Sequence, residues 1–144
     1  MRAVIQRVLS ASVTVDDHVV GAIDEPGLLV FLGVTHDDGP AQIAWMADKI
    51  RDLRLLRGER SVADAGAPVL VVSQFTLYGD ARKGRRPTWL AAAPQPISEP
   101  AYDAVCEALR RDGIRVERGV FGADMRVGCV GDGPVTLIID TPSR

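Results

Sequence analysis

Two stretches of this chain are apolar without a break, Leu28-Leu29-Val30-Phe31-Leu32-Gly33-Val34 and Val69-Leu70-Val71-Val72. Side chains on a strand alternate between its faces, so a strand with no polar residue has to be covered on both sides. The second stretch then changes character abruptly, into Ser73-Gln74-Phe75-Thr76-Leu77-Tyr78-Gly79-Asp80. Ser73, Gln74 and Thr76 bring hydroxyls and an amide that need hydrogen-bond partners at the end of a buried element. The basic run Arg82-Lys83-Gly84-Arg85-Arg86 follows within a few residues. A polar strand end beside concentrated positive charge suits an anionic ligand such as RNA.

The 144 residues fall in the usual range for one domain, and 47% hydrophobic residues are ample for a packed core, so a single domain over 1–144 is expected. A formal net charge of -2 excludes a polycation that coats nucleic acid through bulk charge, and any such contact must be local. Cys106 and Cys129 form no CxxC and have no histidine at ligand spacing. That argues against a structural zinc site or a disulfide-stapled secreted module, and the pair read as small core hydrophobes in a reducing compartment. Gln6 and Arg7 interrupt the first apolar residues, so the opening segment is no signal peptide, and no apolar run has bilayer length. The expectation is a cytoplasmic protein without membrane contact.

Alternation over Ala3 to Val8, Val13 to Val15 and Val19 to Ile23 predicts strands, with Asp16-Asp17 as turn. After Gly39-Pro40, residues Ile43, Met46, Ala47, Ile50 and Leu53 recur as one buried helical stripe, with Trp45 flanking it. A second helix is predicted from Ser98-Glu99-Pro100, with Ser98 as N-cap, Tyr102, Val105, Cys106 and Leu109 on one side, and a stop at Gly113. Gly58 to Pro68 and Gly79 to Pro96 carry neither period and read as loops. Strands follow at Val116 to Val120, Arg126 to Val130 and Val135 to Asp140, the last two separated by Gly131-Asp132-Gly133-Pro134. The class is α+β, with strands outnumbering two main helices.

These residues carry a resemblance that covers nearly the whole chain. Ile5-Gln6-Arg7-Val8, Ala11-Ser12-Val13, Gly27 to Gly33, Ser73-Gln74-Phe75-Thr76-Leu77, Phe121 with Ala123-Asp124-Met125, and Gly133-Pro134-Val135-Thr136 occur in the order found in D-aminoacyl-tRNA deacylases. The sequence resembles that family, which frees tRNA from mischarged D-amino acids as a step of translation proofreading. The resemblance implies a mixed, mostly antiparallel sheet with a barrel-like core and a homodimer with its active sites at the subunit interface. There the Gly133-Pro134 motif of one subunit, with a cis peptide bond, enters the partner's site near Ser73 to Thr76. A turn that presents carbonyl oxygens and no flexible side chain is a good chirality filter, because an L side chain meets that wall. Achiral glycine passes it, so mischarged glycyl-tRNA(Ala) becomes a second substrate. The resemblance places Phe121 and Met125 at the wall that receives the terminal adenosine.

For the chemistry, neither His18 nor His36 is adjacent in sequence to the motif, so a serine-histidine triad has no evident base. Thr76 and Ser73 are nucleophile candidates by residue type, but an unassisted hydroxyl is a poor nucleophile. The family reading has the 2′-hydroxyl of the terminal adenosine helping to activate water, with Gln74, Thr76 and main-chain groups around Phe75 positioning the ester; no metal or cofactor enters. Arg82, Lys83, Arg85 and Arg86 are either a solvated loop or contacts to acceptor-stem phosphates, which hold backbone without reading sequence. Position 131, commonly asparagine in the family, is Gly131 here, and bracing of the turn falls to Asp132 or to water. The Gly58 to Asp64 segment is shorter than usual and lacks the common Lys-Met-Asn stretch. Two alternatives differ in class. One is an editing domain of the kind attached to threonyl-tRNA synthetases, disfavoured by Gly133-Pro134; the other is a non-catalytic nucleic-acid binder, for which Trp89 is the sole ring near the basic loop.

Overall fold

The computed structural model describes residues 1–142. In chain order its elements are β1 (Arg2–Val15), β2 (His18–Ile23), β3 (Gly27–Gly33), α1 (Pro40–Asp52), α2 (Val62–Ala65), β4 (Val69–Ser73), a 3-10 turn (Phe75–Tyr78), α3 (Gln95–Arg111), β5 (Val116–Arg118) and β6 (Arg126–Asp140). The strands form one mixed sheet in the order β2-β1-β3-β4-β5, with β6 pairing along β1. β1 is antiparallel to β2, β3 and β6, whereas β3-β4 and β4-β5 are parallel. The sheet curls until β2 reaches β5. A β-carbon at Gly21 would overlap the Arg118 carbonyl oxygen, so only glycine permits that approach.

The unbroken apolar strands are explained by two cores, one on each face. Leu28, Val30, Leu32, Val69 and Val71 face the helices and pack with Met46, Ile50, Tyr102, Val105 and Leu109. Leu29, Leu70 and Val72 face the inside of the curled sheet, with Val8, Val13 and Ile23. Close packing on both faces leaves no place for a polar side chain on β3 or β4 until the strands end.

Local chemistry sets the helix bounds. Pro40 occupies the first turn of α1, where its missing N–H would be unpaired anyway, and Met46, Ala47 and Ile50 are its buried positions. α3 stops at Gly113, which takes φ +84°. Its N–H donates to the Arg110 carbonyl at 2.9 Å while that of Ile114 reaches Leu109 at 3.0 Å.

Five elements differ from the sequence-based expectation. α3 begins at Gln95 with Pro94 as N-cap, and Ser98 lies inside it, buried, its Oγ donating back to the Pro94 carbonyl at 3.1 Å. β1 is one strand where two were expected, and β6 runs unbroken through Gly131-Asp132-Gly133-Pro134. The reason is shared: β1 and β6 pair on both sides of this segment, with register shifts on either side of Val8, and Asp132 to Val135 bulge out between the Gln6–Thr136 and Val8–Gly131 pairs. The loop expected over Gly58 to Pro68 contains α2, a single turn held by a reciprocal cap. Ser61 N donates to Asp64 Oδ2 at 3.1 Å and Asp64 N to Ser61 Oγ at 3.0 Å. β5 ends at Arg118, two residues short of the expected strand.

Candidate active site

The polar motif begins where β4 ends. Ser73 pairs with Leu32, and the Gln74 N–H then donates to the Leu32 carbonyl at 2.8 Å, the last bond of the parallel register. The backbone next winds into the 3-10 turn, with Leu77 N donating to Gln74 O at 3.3 Å and Gly79 N to Thr76 O at 3.0 Å. The first amides of that turn, those of Phe75 and Thr76, donate to no protein acceptor among the described residues. The Gln74 side-chain amide donates to Thr76 Oγ1.

Beside this turn lies a cavity of about 290 Å³. Ser73, Gln74 and Phe75 form one wall; Phe121, Ala123 and Met125 form the other; Leu32, Val72 and Tyr102 lie beneath. Residues 73–75 and 121–125 are far apart in the chain and are joined through β4. The Gly119 N–H donates to the Val71 carbonyl at 3.1 Å, which anchors the segment after β5 against the strand that carries the motif. Met125 lies over Gly119, where a β-carbon would stand 2.6 Å from its Sδ. Tyr102 is 1% exposed; its hydroxyl donates to Val71 O at 2.8 Å, and its ring meets that of Phe121 with centroids 5.8 Å apart. Burial pushes the Tyr102 phenol well above its ordinary range, so it holds its proton at neutral pH.

Among the described residues, the cavity wall contains no carboxylate, imidazole, ammonium or guanidinium. His18 Nδ1 donates to the Asp16 carbonyl at 2.7 Å and His36 Nε2 to that of Leu90 at 2.9 Å, and neither lines the cavity. What the wall offers is three hydroxyls, those of Ser73, Ser98 and Tyr102, with one amide, main-chain donors and apolar surface. That set orients and polarises a bound ester and supplies no strong base of its own. A roomier depression of about 850 Å³ lies near Met1 and His36, but Asp37, Asp38 and Asp140 line it and would repel a polyanion.

The remaining expected site residues lie outside this wall. Thr76 is exposed on the turn at the cavity's edge. Gly133 and Pro134, joined by a cis peptide bond, do not line the cavity of their own chain. Register explains why: β6 pairs Gly131 with Val8, and Val8 pairs with Gly27, at the end of β3 opposite Leu32. Five residues of strand separate the two levels, roughly 17 Å at about 3.3 Å each. Asp132 is fixed beside the motif by Arg57 and Arg7, whose Nε donates to the Asp132 carbonyl at 2.8 Å. Of the basic run, Arg82 is bound to Asp80 at 2.6 Å, which holds that carboxylate down to about 2. Sequence reasoning missed Tyr102 as a cavity residue. A tyrosine in a helix's buried stripe was the available signal, since its hydroxyl needs a buried partner.

A family model described as D-Tyr-tRNA(Tyr) deacylase matches residues 4–140. The chain belongs to that family. A D-aminoacyl-tRNA deacylase of Kineococcus radiotolerans is 65% identical over 97% of this chain and 99% of its own length. One of Thermobifida fusca is 64% identical with the same coverage. Among solved structures, the c-Myc DNA Unwinding Element Binding Protein superposes with a TM-score of 0.91 at 38% identity, over 99% of this chain and 100% of that one. A probable eukaryotic D-amino acid tRNA deacylase, 17% identical over 96% of this chain and 97% of that one, shares the fold with a TM-score of 0.82. As a deacylase of this family the protein is a hydrolase acting on the ester bond of aminoacyl-tRNA, and its mixed, curled sheet is the deacylase fold.

Proposed function

We propose that the protein removes D-amino acids from mischarged tRNA in the cytoplasm by hydrolysing the ester to the 3′-terminal adenosine, and that glycyl-tRNA(Ala) is a further substrate. The observation that carries this reading is a cavity whose wall joins Ser73-Gln74-Phe75 to Phe121 and Met125 and holds no ionisable base. A site of that composition favours a reaction in which the substrate supplies the activating group. The adenosine's 2′-hydroxyl assists attack by water, while Gln74 and Thr76 position the ester. The free amides of Phe75 and Thr76 stabilise the charge that develops on the carbonyl oxygen. Phe121 and Met125 hold the adenosine.

Selectivity is assigned to Gly133 and Pro134. Their distance from the cavity of their own chain supports delivery by a second copy, so the working unit is a homodimer with sites at its interface. L-aminoacyl groups are excluded by the carbonyl wall of that turn, whereas glycine has no side chain to exclude.

The test is hydrolysis of D-Tyr-tRNA and L-Tyr-tRNA by the purified protein with a chelator present. Loss of the D ester alone is the expected result; persistence of both would overturn the enzyme reading, and cleavage of both would overturn the filter. Thr76→Ala should slow turnover by about tenfold, as for one lost polar contact, and abolition of turnover with tRNA affinity intact would make Thr76 the nucleophile instead. The DNA-binding name of one solved relative carries a second reading, nucleic-acid binding without hydrolysis, which the same assay separates.

A further inference from the structure

The Phe75 and Trp89 rings stand edge to face, centroids 5.4 Å apart and planes at 75°. Phe75 belongs to the cavity wall, and Trp89 packs against it from outside the lining. Both rings stay open to solvent, Phe75 at 56% and Trp89 at 41% exposure. Two features hold the indole in place. Asp80 and Thr88 exchange backbone hydrogen bonds, each 2.9 Å long, which closes the basic loop just before Trp89. The six-membered ring of the indole also lies on Gly79, where a β-carbon would stand 2.5 Å from Cζ3. An exposed indole fixed by its backbone neighbours has lost its own freedom in advance and presents a ready face to a flat partner.

The charges around it select the kind of partner. Arg82 is neutralised by Asp80, but Lys83, Arg85 and Arg86 are exposed and form no ion pair among the described residues. Three uncompensated cations beside two exposed rings suit a single-stranded nucleic acid better than an apolar protein surface, because one set meets phosphates while the other meets bases. The strand closest at hand is the one whose last nucleoside fills the adjoining cavity.

We propose that Trp89, with the edge of Phe75, is the stacking seat for the cytosine that precedes the terminal adenosine of tRNA, and that Lys83, Arg85 and Arg86 hold the phosphates of that 3′ strand. The proposal rests on the reading of the cavity as the aminoacyl-adenosine site. Stacking accepts any base, and the seat therefore serves every tRNA alike.

The experiment compares D-tyrosyl-tRNA with D-tyrosyl-adenosine, which ends before the proposed seat, on wild type, Trp89→Ala and Trp89→Phe. Trp89→Ala should raise KM for the tRNA by about 5- to 100-fold, the loss expected for one stacked base, with kcat held. Trp89→Phe should recover most of it, and KM for D-tyrosyl-adenosine should stay within about twofold of wild type, since no stacked base is lost there. Equal losses on both substrates would reduce Trp89 to a support for Phe75 and overturn the proposal, as would no loss on either. A binding measurement separates this from failure of the hydrolase reading: in a Trp45→Phe background, the trinucleotide CCA should quench Trp89 fluorescence saturably and less so in high salt. If wild type hydrolyses neither ester yet the quenching is seen, the enzyme reading falls and the seat stands. Unchanged fluorescence overturns the seat whatever the hydrolysis assay gives.

Discussion

Arg57 grips Asp132 with two nitrogens, Nη2 at 2.6 Å and Nε at 3.1 Å from Oδ1, immediately before the Gly133-Pro134 turn. Asp132 is 7% exposed, and Arg7 approaches its other oxygen at 3.5 Å. The turn is therefore braced through this carboxylate, in a chain where Gly131 contributes no side chain. Donation by Arg57, followed by the charges of Arg57 and Arg7, holds Asp132 below the ordinary 3.8. A carboxylate depressed in the folded state stabilises it at pH above that ordinary value, and the contribution fades as pH falls through the folded value. Asp132→Asn should accordingly lower the urea midpoint at neutral pH and approach wild type as pH falls below the ordinary carboxylate range. A gap that stays constant across pH would mean that the loss comes from packing instead of charge.

Gly133 takes φ +141°, and a β-carbon there would stand 2.8 Å from Arg7 Nη2 and 3.1 Å from Val135 Cγ2. Gly133→Ala should cost about 1–3 kcal/mol in denaturant unfolding, since both conformation and space oppose it. Because the displaced group is the Arg7 guanidinium that holds the Asp132 carbonyl, the turn should also shift. The ratio of D- to L-Tyr-tRNA hydrolysis is expected to fall more than the D rate itself. An unchanged ratio would detach the turn from selectivity.

Tyr102→Phe removes one buried hydrogen bond but leaves the Val71 carbonyl paired to Gly119. A loss of about 1 kcal/mol is expected in equilibrium unfolding. The pH profile of hydrolysis should be unaltered, because the phenol stays protonated through the working range. Flattening of an alkaline limb in the variant would instead give Tyr102 a part in proton transfer.

Sequence alone sufficed wherever a residue's surroundings are dictated by its neighbours in the chain. The runs at Leu28 and Val69 declared strands with two covered faces, and the cores on either side of β3 and β4 answer to them. Gly113 declared a helix end for the same reason. The misjudged elements are those decided by distant partners. Gly131 to Pro134 looks like a break until the β1 pairs at Gly131 and Thr136 turn it into a bulge within one strand, and Ser98 looks like a cap because nothing local shows that Pro94 takes that place. α2 is too short for any period. In the site, residues 73–76 stood out as polar groups on a buried strand, whereas Phe121 and Met125 are apolar residues that only a family resemblance distinguished from core. Trp89 was visible as a ring near positive charge, but its contact with Phe75 depends on how the loop from Asp80 to Thr88 closes.

The approach of Gly21 to Arg118 has a dynamic consequence. β2 and β5 are the two ends of the hydrogen-bonded strand order, so the sheet is a sleeve with a slit, and no ladder among the described residues crosses it. Parting the slit breaks contacts but no row of backbone bonds, which makes it the cheapest place for the barrel to breathe. Val13 and Ile23 beneath it share their packing with Val72, Met125 and Val127, which also line the cavity. A fluctuation at the slit thus passes directly into the cavity, giving it a soft wall on the side of Met125 and Val127 and a stiff one along β4.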